Sequence, residues 1–87
     1  MDIKEQFEHA VAESKQLSSR PSNDTLLKLY SLYKQSTEGD APSAHTGDEF
    51  DFVAKAKYSA WQALKGTSKE NAMQQYVELI GKLKTDS

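Results

Sequence analysis

An all-α chain folded as a four-helix bundle is what this sequence predicts, on three observations. Apolar residues recur at spacings of three and four in four separate stretches, the period of a helix. No run alternates apolar and polar residues over a useful length, so strand signals are absent. Gly39, Gly47 and Gly66, three of only four glycines, fall where the helical stripes break off.

Eighty-seven residues make one domain, 1–87, near the lower end of sizes that fold unaided. There is no cysteine, so neither a disulfide nor a thiolate metal cage can help, and the chain fits a reducing compartment, the cytoplasm. Burial must then do nearly all the stabilising, which favours regular helix packing. Met1-Asp2-Ile3-Lys4-Glu5 is charged and amphipathic, without the apolar length of a signal peptide or a membrane span, so no stable membrane insertion is expected. Thirteen acidic and 11 basic residues give a formal charge of −2, which argues against nucleic acid as a partner. A small anionic ligand needs only a few well-placed lysines and stays compatible with that charge.

The first helix is expected from about Asp2 to Leu17, with Ile3, Phe7, Ala10, Val11, Ser14 and Leu17 as its stripe and Lys15 at the stripe's edge. Pro21 disfavours helical geometry in the residue before it and ends this segment. The second helix starts at Ser22 or Asn23, either of which can cap, and continues to about Glu38, where Gly39 suits the C′ position. Residues 39–49 form one long connection without a helical stripe, able to cross from one end of a bundle to the other. A third helix runs from near Asp51 to Lys65, with Val53, Ala54, Ala56, Tyr58, Ala60, Trp61, Ala63 and Leu64 in its apolar arc. Asp48, Glu49 and Asp51 precede it as expected caps. Thr67-Ser68-Lys69-Glu70 reads as a capping box for a fourth helix, whose inner side holds Ala72, Met73, Tyr76, Val77, Leu79, Ile80 and Leu83 before Thr85 to Ser87 fray.

The second helix has more apolar surface than one core contact uses. At about 100° per residue its arc reads Leu32, Leu29, Tyr33, Leu26, Tyr30, Lys34, Leu27, more than half the circumference, and leaves Lys28, Ser31 and Gln35 for solvent. The excess asks for a second neighbour or a ligand. Lys34 lies inside this arc, and Lys57 lies inside the arc of the third helix between Leu64 and Trp61. A lysine so placed must snorkel, pair with a carboxylate, or meet an anionic ligand. Tyr30 and Tyr33 could stack a base or donate to phosphate, or else be core residues whose hydroxyls reach the rim. Tyr76 sits in the middle of a regular core stripe, which favours the core role. Catalysis has little support: His9 and His45 are isolated, and there is no phosphate loop, nucleophile elbow or cysteine nucleophile. A module that seats a partner helix on the aromatic arc is the alternative to a phosphate-ligand site.

The chain resembles the acyl-coenzyme A binding protein family over nearly its whole length. The residues that carry the resemblance are Phe7 and Ala10, Leu17 before Arg20-Pro21-Ser22, and Leu29-Tyr30-x-x-Tyr33-Lys34-Gln35-x-Thr37-x-Gly39-Asp40. They continue in Asp51-Phe52-x-x-Lys55-Ala56-Lys57-x-x-Ala60-Trp61 and Leu64-Lys65-Gly66-Thr67-Ser68-Lys69-Glu70-x-Ala72-Met73-x-x-Tyr76. The resemblance implies an up-down-down-up bundle with its long crossover loop between the second and third helices. It also implies a bowl-shaped site for long-chain acyl-CoA thioesters, bound without a covalent step and without a cofactor. By matching positions, Tyr30, Lys34 and Lys57 would hold the 3′-phosphate and adenosine, and Tyr33 would line the adenine pocket. Lys15 would sit near the phosphates, Tyr76 would close over the ligand, Leu26 and Leu27 would lie near the acyl chain, and Ser31 and Leu32 would complete the binding set. Such a protein would carry and buffer acyl thioesters through transient contact with membranes and with enzymes that use acyl-CoA.

Some positions depart from the family's habit. Ala54 replaces a common glycine, Tyr58 a common tryptophan, Val53 an often basic residue and Val11 a frequent alanine. His45-Thr46-Gly47 stands where Arg-Pro-Gly is typical, with one residue more in the loop. These changes leave the phosphate-site positions intact and bear on chain-length preference and loop conformation.

Overall fold

A computed structural model describes residues 2–17, 19–42 and 52–86, the side chain of Asp86 excepted. Its helices are α1 (Ile3–Ser14), α2 (Asn23–Glu38), α3 (Phe52–Gln62) and α4 (Lys69–Asp86), with no strand among the described residues. The expected caps at Asp48, Glu49 and Asp51, the glycine stop at Gly47, His45 and most of the crossover lie outside the described residues.

Asp2 caps α1 by accepting from the Glu5 amide at 2.8 Å, and Ser22 caps α2 by accepting from the Thr25 amide at 3.2 Å. The first helix ends a turn earlier than its stripe suggests: Lys15 and Gln16 bond back to Ala12 and Glu13 in tighter three-residue turns. Gly39 (φ 84°) and Gly66 (φ 91°) hold the left-handed backbone that closes α2 and the turn after α3. The cap of α4 is Ser68 rather than Thr67, for the Ser68 hydroxyl accepts from the Asn71 amide at 3.1 Å. Thr67 is engaged elsewhere, with its N–H bonded to the Leu64 carbonyl and its own carbonyl accepting from Gln35. Thr85 remains helical and donates to the Lys82 carbonyl.

The contacts fix the helix directions. The starts of α1 and α4 and the end of α2 line one groove, through Lys4, Phe7, Thr37, Lys69 and Met73. The far ends of α1 and α4 meet in the Glu13–Lys84 ion pair, so these two helices are parallel and α2 opposes them. Asn23 and Leu26 face Phe52 and Val53 at the starts of α2 and α3, and Trp61 Nε1 donates to the Gly39 carbonyl at their ends. The order is therefore up-down-down-up. The core lies where α1, α4 and α2 meet and consists of Phe7, Ala10, Leu29, Leu32, Ala72, Tyr76 and Ile80, flanked by Val11, Leu64, Met73, Val77, Leu79 and Leu83.

The expected solvent face of α2 needs correction. Ser31 is 3% exposed and Gln35 is fully buried. With α4 on one side of α2 and α3 on the other, little of its circumference is left for water. Ser31 satisfies its hydroxyl by donating to the Lys28 carbonyl at 2.8 Å. Gln35 Nε2 donates to Asp40 Oδ1 at 2.8 Å and to the Thr67 carbonyl at 2.7 Å. Asp40 Oδ1 also accepts from the Gly66 amide at 3.0 Å, so one amide and one carboxylate clasp the end of α2 to the α3–α4 turn. The Gly66 N–H, and secondarily Gln35, holds the Asp40 carboxyl below its ordinary value.

Candidate ligand-binding site

The surplus apolar arc of α2 is accounted for by a groove between the first halves of α2 and α3. Its volume is about 660 Å³, and its lining is Arg20, Asn23, Leu26, Leu27, Tyr30, Phe52, Val53, Ala56 and Lys57. A smaller recess of about 240 Å³ shares Leu26 and Tyr30 with it and is completed by Ser14, Leu17, Pro21, Leu29, Tyr33 and Tyr76. The two form one bowl, apolar at the floor and ringed by tyrosines. Phe52 (78% exposed) and Val53 (63%) leave their apolar surface open to solvent at its edge. In a chain that must bury what it can, such a patch beside a groove is a candidate contact surface.

Two cations lie on aromatic faces along the α2–α3 seam, one of them in the bowl's lining. Lys57 Nζ is 5.1 Å from the centroid of the Tyr30 ring, and Lys34 Nζ is 5.1 Å from that of Trp61. Such pairs hold an ammonium at the rim without burying it. Lys34 also pairs with Glu38 one turn on, and that hydrogen bond raises its pKa against the opposing effect of partial burial. Tyr76, at the back of the recess, meets Phe7 edge-on (5.1 Å, 71°), and Phe7 in turn stacks on Tyr33 (5.9 Å, 30°). Burial pushes the Tyr76 hydroxyl's pKa up, and its hydrogen bonding with Ser14 works the other way. A rigid aromatic run thus backs a cationic rim, a combination suited to an amphiphile with a phosphorylated, planar head.

The family profile described as Acyl CoA binding protein matches residues 4–80. The chain belongs to the acyl-CoA-binding protein family. An acyl-CoA-binding protein of Dictyostelium discoideum is 51% identical to it over 79 residues, covering 91% of this chain and 93% of that one. The crystal structure of Oryza sativa acyl-CoA-binding protein 2 superposes with a TM-score of 0.87 at 34% identity, covering 97% of this chain and 92% of that one. Enoyl-CoA delta isomerase 2 of Rattus norvegicus is 47% identical over 81 residues, 93% of this chain but only 20% of that protein. The shared stretch in the isomerase is therefore one part of a larger enzyme.

For this family member, the structure brings Leu26, Leu27, Tyr30, Tyr33, Lys57 and Tyr76 together around the bowl, with Lys34 at its edge on the α2–α3 seam. Lys15 caps the end of α1, one residue beyond Ser14 of the recess. Ser31 and Leu32 are buried in the helix packing, at 3% and 0% exposure, because α2 is enclosed on that side. Tyr76 is as much core as wall, being 4% exposed. The third-helix arc also differs from expectation, with Val53, Lys57 and Ala63 exposed and Trp61 its one buried residue. The arc is split because α3 packs on α2 and leaves the rest of its apolar face to the groove. Residues of the groove's lining not foreseen there are Arg20, Asn23, Phe52, Val53 and Ala56. Phe52 was legible as an aromatic in the first turn of a helix whose core stripe did not require it.

Proposed function

We propose that this chain binds long-chain fatty acyl-CoA thioesters non-covalently, and buffers and carries them in the cytoplasm between membranes and enzymes that use them. The observation that supports this most is the bowl itself: an apolar groove of about 660 Å³ whose rim bears Lys57 over Tyr30, with Lys34 one turn along α2. The 3′-phosphate and adenosine take Tyr30, Lys34 and Lys57, with Tyr33 beside the base and Lys15 near the phosphates. Charge-assisted hydrogen bonds at a partly desolvated aromatic rim are stronger than neutral ones. The fatty chain lies along Leu26, Leu27, Phe52 and Val53, and each buried methylene contributes about 0.8 kcal/mol. The head group sets orientation and the chain supplies affinity that grows with length. Among the described residues the groove's lining has no serine, cysteine or histidine, and on this reading the thioester leaves as it arrived.

Titration calorimetry across a chain-length series, with free coenzyme A as control, tests this. Affinity should climb from short to long thioesters and remain weak for free coenzyme A. A palmitoyl thioester that gives no heat at micromolar protein removes the proposal, and release of free coenzyme A during incubation turns the carrier into a thioesterase.

A further inference from the structure

We propose that Glu38 sets the affinity of this site by acting as a resident anion, which holds Lys34 until the ligand's phosphate displaces it. The inference rests on the acyl-CoA reading above. Both rim lysines lie over a ring, Lys57 over Tyr30 and Lys34 over Trp61, but Lys34 is also tied to the Glu38 carboxylate one turn toward the end of α2. Tyr30 lies one turn in the opposite direction along α2, so the Lys34 side chain, which lies over Trp61, has the Tyr30 end of the helix on one side and the competing carboxylate on the other. The Cα–Cβ bonds of a helix lean toward its N-terminus, so reaching back toward Tyr30 goes with the backbone and reaching forward to Glu38 goes against it. Lys34 keeps a 26% exposed side chain and Glu38 a 53% exposed one, so the exchange of partners needs no opening of the core.

Helix stability does not account for this glutamate. It is the last residue of α2, where the helix dipole disfavours negative charge, and no basic residue occupies the last turn. A lysine preceding its glutamate by four is the weaker order of such pairs, and exposed pairs contribute little. What the pair does change is the starting state of binding. A single negative charge arriving at Lys34 merely replaces one carboxylate by another anion. A phosphate monoester, with more than one charge, gains on the exchange and is then repelled by the carboxylate left a turn away. A thioester lacking the 3′-phosphate leaves the Lys34–Glu38 pair undisturbed.

The experiment compares the wild type, Glu38→Gln, Lys34→Met and the double variant by calorimetry. Its probes are palmitoyl-CoA and the 3′-dephospho thioester of the same chain. Glu38→Gln is expected to tighten palmitoyl-CoA binding roughly two- to tenfold. It should leave the dephospho ligand unchanged, and its gain should shrink when Lys34 is already methionine. Glu38→Gln affinity equal to or weaker than wild type overturns the proposal. So does a gain of equal size with the dephospho ligand, or one kept in full beside Lys34→Met. A wild type that binds neither probe sinks the acyl-CoA reading itself, and that outcome is distinct from all of these.

Discussion

On the side of α2 that faces α1 and α4, Leu29 and Leu32 are buried against Phe7, Ala10, Ala72, Tyr76 and Ile80. On the side that faces α3, Leu26, Leu27 and Tyr30 stay half-buried, and Phe52 and Val53 opposite them are open to solvent. One helix thus carries two kinds of apolar surface within sixteen residues. The first is finished by folding, whereas the second is left open to solvent at a cost in stability, and on the proposed function a ligand would complete it. Stability and binding should therefore respond to different substitutions, even when the residues are one helical turn apart.

The sharpest break comes from the closed side. Leu32→Ala should lower the unfolding free energy by about 2–5 kcal/mol, read by chemical denaturation, as expected for a fully enclosed leucine that leaves a cavity. Gln35→Ala should cost about 2–3 kcal/mol in the same measurement, because two hydrogen bonds go and the Thr67 carbonyl is left without its side-chain donor. On the open side the sign of the comparison reverses. Lys57→Ala should weaken palmitoyl-CoA binding by about 1.5–3 kcal/mol, the worth of hydrogen bonds to a charged group, with almost no shift in melting temperature. A Lys57→Ala protein that melts early and binds normally would erase the distinction between the two sides.

The smallest effect concerns the clasp at the end of α2. Asp40 has a folded pKa below its ordinary one, so its stabilising contribution is complete above the unfolded value and is lost as pH falls through the folded value. Melting temperature should fall below about pH 4. Asp40→Asn should flatten that acid limb while lowering stability at neutral pH. An unchanged acid limb would mean that the Gly66 and Gln35 bonds do not favour the ionised form.

Much of this division was legible from residue order alone. The stripes of α1 and α4 marked Phe7, Ala10, Ala72, Tyr76 and Ile80, because a helix packed on one side obeys a single-face pattern. The excess arc of α2 correctly signalled a second neighbour, and the neighbour is both α3 and the groove beside it. What a wheel cannot show is which polar residues the second neighbour will cover. Ser31 is buried with its hydroxyl bonded locally to the Lys28 carbonyl, and Gln35 with its Nε2 held by the clasp while its Oε1 stays buried without a partner; the Thr67 bond of that clasp comes from a turn far away in the chain. The cap of α4 also shifted by one residue, to Ser68, while the backbone carbonyl of Thr67 accepts from Gln35. The Lys34–Glu38 pair could have been found, since a spacing of four within a helix places the two side chains together.

The parallel placement of α1 and α4 also governs how this chain gets to its structure. Glu13 and Lys84, joined at the far end of that interface, are 71 positions apart in sequence. Helical bundles ordinarily fold fast because most of their contacts are between sequence neighbours, and closing a long loop adds an entropic barrier. Here the core forms only when the last helix has come round to lie beside the first, while the sequence-adjacent α2–α3 pair is the one with the groove left open between its helices. Substitutions in the core of α1 and α4 should therefore slow folding more than substitutions beside the groove, as φ-values for the two sets would show.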